Sequence, residues 1–125
     1  MTGDQKTDVA DDHAREPLAI WGASGHARVV ADILRLGHRY NVVGFIDDVQ
    51  PARRGEAFEG SCVVGGIEAL ESLRADGVRV FLVAVGDCAA RLRLAEKVTR
   101  SGFRLATAVH PSAVVADGVL IGAGT

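Results

Sequence analysis

The 125-residue chain is poor in cysteine, proline and aromatic residues, and it has no excess of either charge. Its two cysteines, Cys62 and Cys88, are too few for a disulfide framework and too far apart for a CxxC site. The 14 basic and 16 acidic residues give a net charge of −2, so the basic surplus of a dedicated nucleic-acid binder is missing. The longest apolar runs, such as Val78 to Val85, fall far short of the roughly 20 residues that span a bilayer. No basic start leads into an apolar stretch at the N-terminus, which argues against a secretory signal. A reduced, cytoplasmic chain without a membrane span is the expectation. What the chain does have is 48% hydrophobic residues, enough for one domain with its own core.

Residues Met1 to Glu16 are acidic and nearly devoid of apolar side chains, which predicts a flexible tail carrying His13. Order is expected from Pro17. Leu18-Ala19-Ile20-Trp21 reads as a buried strand that runs into the turn Gly22-Ala23-Ser24-Gly25. Helical spacing follows, with Val29, Val30, Ile33 and Leu34 on one face and Arg28, Asp32 and Arg35 on the other, up to a stop at Gly37. Asn41 to Ile46 predicts a second strand, closed by Asp47-Asp48, and Val49 to Gly60 a long exposed loop. A short strand at Cys62-Val63-Val64 precedes a helix with Ile67, Leu70 and Leu73 inward, ended by Gly77. Val78 to Val85 predicts a strand buried on both faces, as in the centre of a parallel sheet. A helix after Gly86-Asp87 places Leu92, Ala95 and Val98 inward, with Asp87 as N-cap, and Phe103 to Val109 is a last strand-like run. This alternation predicts an α/β domain over residues 17–108, a Rossmann-like parallel sheet with flanking helices.

The pattern then changes. Val109, Val115 and Ile121 are six apart, and so are Ala113, Val119 and Thr125. That is the period of hexapeptide solenoids, in which an aliphatic side chain enters the core once per short strand. Residues 109–125 therefore predict the first, incomplete coil of a β-helix.

Three places can carry chemistry. Gly22-Ala23-Ser24-Gly25-His26-Ala27 joins a strand to a helix, where glycines and free N–H groups suit a phosphate. Ser24 stands where a dinucleotide fingerprint has its second glycine, so a ligand-free tight turn is the competing reading. Asp47-Asp48 ends the second strand, where an acid can meet ribose hydroxyls or simply a solvated turn. Gly86-Asp87 ends the third long strand on the same side, and Arg91, one turn on, can approach a phosphate or an acid. His26 serves either a ligand or the helix start, His38 the surface, and His110 a hinge or packing role rather than a base. Cys88 reads as a small hydrophobe or as a helix-terminal thiol of lowered pKa. No His or acid cluster is in register for a metal, and no catalytic set emerges.

Taken together, Gly-Ala-Ser-Gly-His-Ala-Arg-Val-Val-Ala-Asp (22 to 32), Phe-Ile-Asp-Asp (45 to 48), Val-Gly-Asp with Arg91 (85 to 91) and His-Pro-Ser-Ala (110 to 113) resemble the bacterial sialic-acid O-acetyltransferase and UDP-amino-sugar N-acetyltransferase family. The resemblance implies a Rossmann-like domain that binds a nucleotide sugar, followed by a left-handed β-helix that trimerises and binds acetyl-CoA, the acyl donor. It also implies a general-base His in a later coil. The matching residues here are Gly22, Ser24, Gly25, His26, Asp47, Asp48, Gly86 and Asp87, as sugar-nucleotide contacts. The chain stops at Thr125 after about one coil, so the expectation is a UDP-sugar-binding part without the base or the acetyl-CoA groove. The competing expectations are a small NAD(P)-binding Rossmann protein and a non-catalytic assembly domain whose hexads complete a β-helix on other subunits.

Overall fold

The computed structural model describes residues 14–125. The expected tail lies outside the described residues up to His13, but Glu16 does not belong to it. Glu16 opens β1 (Glu16–Trp21), pairs with Tyr40, and forms an ion pair with Arg104. One polar residue joins the sheet because its backbone has a partner.

After β1 come α1 (Gly25–Gly37), β2 (Tyr40–Ile46), β3 (Ala57–Phe58), β4 (Ser61–Gly65), α2 (Leu70–Ala75), β5 (Val80–Val83), α3 (Cys88–Arg100) and β6 (Arg104–Leu105). They build one six-stranded sheet in the order β3-β4-β2-β1-β5-β6, parallel except for the β3-β4 pair. The Rossmann-like α/β class is confirmed. The chain leaves β1 toward β2 and β4 on one side, then crosses back to β5 and β6 on the other. β1 is therefore the point at which the strand order reverses.

Alternation along the central strands feeds two cores. Leu18 and Ile20 of β1 and Val80 and Leu82 of β5 pack with Ala27, Val30, Ala31 and Leu34 of α1. Ala19, Trp21, Phe81 and Val83 point the other way, to Leu70 and Leu73 of α2 and Val98 of α3. Phe81 meets Phe103 edge-on at 4.7 Å. Among the described residues no polar or charged residue is buried, so apolar burial dominates both cores.

Three helix faces differ from the sequence expectation. Val29 is 58% exposed, and the inward stripe of α1 runs instead through Ala27, Val30, Ala31 and Leu34. Leu92 is 69% exposed, while Leu94, Ala95 and Val98 turn inward. Ile67 lies in a short 3-10 turn ahead of α2 and stays partly exposed. In each case alanines or a tighter turn shift the buried stripe, which the larger apolar side chains alone do not reveal. The expected exposed loop from Val49 to Gly60 also holds structure, a 3-10 turn at Pro51–Arg53 and β3, whose Phe58 is buried. The last strand is shorter than expected, because only Arg104 and Leu105 pair.

Residues 109–125 contain no strand. They do contain turns six residues apart, in which the N–H groups of Ala113, Val119 and Thr125 donate to the carbonyls of His110, Ala116 and Gly122. The segment then returns to the domain, where Ala108 N–H donates to Thr125 O and Gly124 N–H to Ala106 O.

The helix registers make a direct prediction. Leu73→Ala, which empties a buried site, costs about 2–5 kcal/mol in urea unfolding, whereas Leu92→Ala costs less than about 0.5 kcal/mol. Equal losses would mean that α3 packs through a different face.

Candidate functional site

A concavity of about 460 Å³ opens beyond the carboxyl ends of β1, β2 and β5. Three stretches of chain form it: Trp21 to Ser24 after β1, Ile46 to Gln50 with Arg53 after β2, and Val85-Gly86 with Ala90, Arg93 and Leu94 after β5. This is the crevice at the reversal of strand order, where open parallel sheets take their ligands.

The three strand ends are tied together by backbone. Gly22 N–H donates to Ile46 O, and Ala84 N–H donates to Trp21 O, both at 2.8 Å. Gly22 has φ of +130°, and a Cβ there would clash with the Ala84 carbonyl oxygen, with the carbonyl carbon only 2.9 Å away. Glycine is therefore required at 22 for the turn itself. Gly25 and Gly86 differ, since a Cβ at either would meet nothing within 4 Å and their surfaces stay open. Ser24 is the N-cap residue of α1 but makes no side-chain cap, so its hydroxyl is not used by the helix.

The two acids divide. Asp47 Oδ1 accepts the N–H groups of Val49 at 2.9 Å and Gln50 at 3.0 Å, and Oδ2 accepts Arg53 Nη1 at 2.9 Å. Burial disfavours the Asp47 carboxylate, but those N–H groups and the Arg53 guanidinium more than offset it, holding its pKa below the usual value. Asp48 is exposed, and only its Oδ1 is engaged, by Ile67 N–H at 3.3 Å. Arg93 has no hydrogen bond or ion pair among the described residues, so the crevice holds one unpaired guanidinium. Trp21, Ile46, Val85 and Leu94 give the crevice an apolar floor.

The family model described as the PglD N-terminal domain matches residues 17–98. The chain belongs to the PglD N-terminal-domain family.

A curated relative, UDP-N-acetylbacillosamine N-acetyltransferase of Bacillus subtilis, is 32% identical over 111 residues, which are 86% of this chain and 49% of that protein. PerB of Caulobacter crescentus, solved with CoA and GDP-perosamine, superposes with a TM-score of 0.77 at 39% identity over 86% of this chain and 49% of its own. The acetyltransferase domain of PglB from Neisseria gonorrhoeae, solved with acetyl coenzyme A, gives 0.74 at 32% identity over 88% and 51%. The chain thus spans about half the length of these relatives.

Within this PglD N-terminal domain, Gly22, Ser24, Asp47, Asp48 and Gly86 all line the crevice. Gly25, His26 and Asp87 do not. Gly25 and His26 begin α1 just outside the lining, and Asp87 accepts Ala89 N–H at 3.2 Å as the N-cap of α3. Arg91 turns away as well, donating to Val85 O and Cys88 Sγ. Gln50, Arg53 and Arg93 enter the site without having been expected there. Arg93 was legible in principle, because it shares a helical face with Ala90 and Leu94. Arg53 comes from a loop whose path no local pattern dictates. His110 Nδ1 accepts Ser112 N–H at 3.0 Å within its own turn. Among the described residues no group of three or more His, Cys, Asp or Glu could hold a metal ion, and no helix is long and apolar enough to cross a membrane.

The lowered Asp47 pKa contributes stability that is full above the unfolded carboxylate pKa of about 4 and is lost as pH falls through the folded value. In urea melts from pH 7 to pH 3, wild type is therefore more stable than Asp47→Asn near neutrality, and the gap closes in acid. A gap independent of pH would refute the charged pairing.

Proposed function

We propose that this chain is the nucleotide-sugar-binding part of an acyltransferase that moves an acetyl group from acetyl-CoA to a sugar carried on a nucleoside diphosphate. The observation that carries this reading is the crevice at the strand-order reversal in a chain of this family, whose relatives include PerB with CoA and GDP-perosamine and an enzyme named for a UDP-sugar.

The chemistry of the crevice suits such a ligand. Its apolar floor offers a face for a base or sugar ring, and the polar groups sit at the rim, as in small-molecule sites generally. Asp47 and Arg53 neutralise each other, which leaves Asp48 and Arg93 as the charges directed at a ligand. A diphosphate takes Arg93 together with the first-turn N–H groups and the Ser24 hydroxyl. Asp48 takes ribose or sugar hydroxyls through the oxygen that Ile67 does not use. Gly25, His26 and Gly86 border this path with open surface, while Asp87 supports it only by starting α3.

In the transfer, a nucleophilic nitrogen or oxygen of the sugar forms a bond to the thioester carbonyl carbon, and the acceptor's proton passes to a base. The C–S bond breaks with its electron pair leaving on sulfur, so that CoA departs as a thiolate that takes up a proton. No residue of this chain is assigned to that step. The six-residue turn spacing over 109–125 supports reading this segment as one hexapeptide coil, the part that would join the sugar site to the acyl donor in a trimeric, cytoplasmic whole.

The chain's single tryptophan provides the test, because Trp21 is 2% exposed and lies in the crevice floor. Titration with a UDP-sugar or a GDP-sugar gives a saturable change in its fluorescence, and Arg93→Gln weakens the interaction about tenfold. Saturation by NAD(P) instead, or no response to either sugar nucleotide at millimolar concentration, would refute the proposal.

A further inference from the structure

We propose that Arg53 is the positioning residue of this crevice, a latch that joins two of its walls and decides which of the paired acids meets the ligand. The inference rests on reading the crevice as a nucleotide-sugar site.

Arg53 leaves the 3-10 turn at Pro51–Arg53 and reaches across to the turn after β1. Its Nη1 donates to Ala23 O at 2.7 Å and to Asp47 Oδ2 at 2.9 Å, so a single nitrogen holds the first-turn backbone and the end of β2 together. Its Nε donates to Glu56 Oε2 at 3.2 Å, which fixes the other edge of the guanidinium. Its Cζ lies over Phe58, 5.6 Å from the ring centroid, and Phe58 in turn packs edge-on against Phe45 of β2 at 4.7 Å. The side chain is 21% exposed, held by its packing as well as by its charge.

The consequence is a division of labour. With Oδ1 on two backbone N–H groups and Oδ2 on Arg53, Asp47 has both oxygens engaged and shapes the loop. Asp48, one residue on, keeps an oxygen free and faces the ligand. Ala23 stands between Gly22 and Ser24, so holding its carbonyl also sets the direction of the Ser24 hydroxyl and of the N–H groups that follow. A lysine could not replace Arg53, because an ammonium lacks the planar fork that serves Ala23, Asp47 and Glu56 together.

The test uses the full chain with Arg53→Gln, Arg53→Lys, Asp47→Asn and the Arg53→Gln/Asp47→Asn double variant. Sugar-nucleotide affinity is read by calorimetry, and amide exchange at Val49 and Gln50 by NMR. Arg53→Gln lowers affinity about tenfold while circular dichroism stays that of a folded chain, Arg53→Lys restores little, and the double variant loses no more than either single one. The Val49 and Gln50 amides exchange at least about tenfold faster in Arg53→Gln, since the carboxylate that accepts them has lost its anchor. Unchanged affinity in Arg53→Gln, or losses that add in the double variant, would overturn the positioning role. If wild type takes no sugar nucleotide, the proposed function falls together with the ligand role of the latch. The exchange readout then stands by itself: faster exchange retains Arg53 as the anchor of the loop, and equal exchange overturns the latch outright.

Discussion

Everything at the candidate site depends on how the chain leaves β1. At Gly22 the backbone turns at φ of +130° against the Ala84 carbonyl, and two hydrogen bonds, Gly22 N–H to Ile46 O and Ala84 N–H to Trp21 O, tie it to its neighbours. Three strand ends are thereby brought level at the point where the sheet order reverses. The crevice is the space left above them, floored by Trp21 and Ile46 at the ends of β1 and β2, by Val85 just beyond β5 and by Leu94 of α3. A side chain at position 22 would force β1 and β5 apart and open that floor. The glycine serves geometry first and a ligand second, because only with this approach do the first turn, the acids after β2 and the face of α3 surround one volume.

On that frame the charges are arranged economically. One pair, Asp47 with Arg53, is internal and fixes a loop. Asp48, with one oxygen on Ile67 N–H and the other free, and Arg93, with no ion pair among the described residues, line the opening. A crevice with an apolar floor and two outward-facing opposite charges suits a ligand that has an aromatic or sugar ring, hydroxyls and phosphates in a row. PerB, solved with CoA and GDP-perosamine, matches this fold over 86% of the chain.

Much of this was readable from the residues. The glycine turn at 22–25, the acid pair at 47–48 and the Val-Gly-Asp at 85–87 stand at the ends of three apolar runs, and parallel strands must bring such ends together. The family resemblance was legible for the same reason. What escaped was set by packing between segments distant in sequence. Leu92 looked inward because large apolar residues usually are, yet Leu94, Ala95 and Val98 provide a smoother face for Phe81 and Phe103. Arg91 looked like the phosphate cation, but the helix turns Arg93 into the crevice instead. Arg53 lay in what read as a solvated loop, and nothing short of the β3-β4 hairpin folding back with Phe58 reveals where it goes. One cap was also hidden: Asp47 looks like a ligand contact in a sequence, yet its Oδ1 takes two nearby N–H groups and its Oδ2 takes Arg53, whereas Asp87, legible as an N-cap, serves as one.

The central claim is that the crevice above β1 receives a nucleoside-diphosphate sugar, and mapping amide chemical shifts during titration with a UDP-sugar or a GDP-sugar tests it most directly. The account predicts that the shifting amides cluster at 22–26, 47–50, 86 and 93, with those of the strand-free segment 109–125 unmoved. Shifts confined to 109–125, or none in the crevice at saturation, would contradict it.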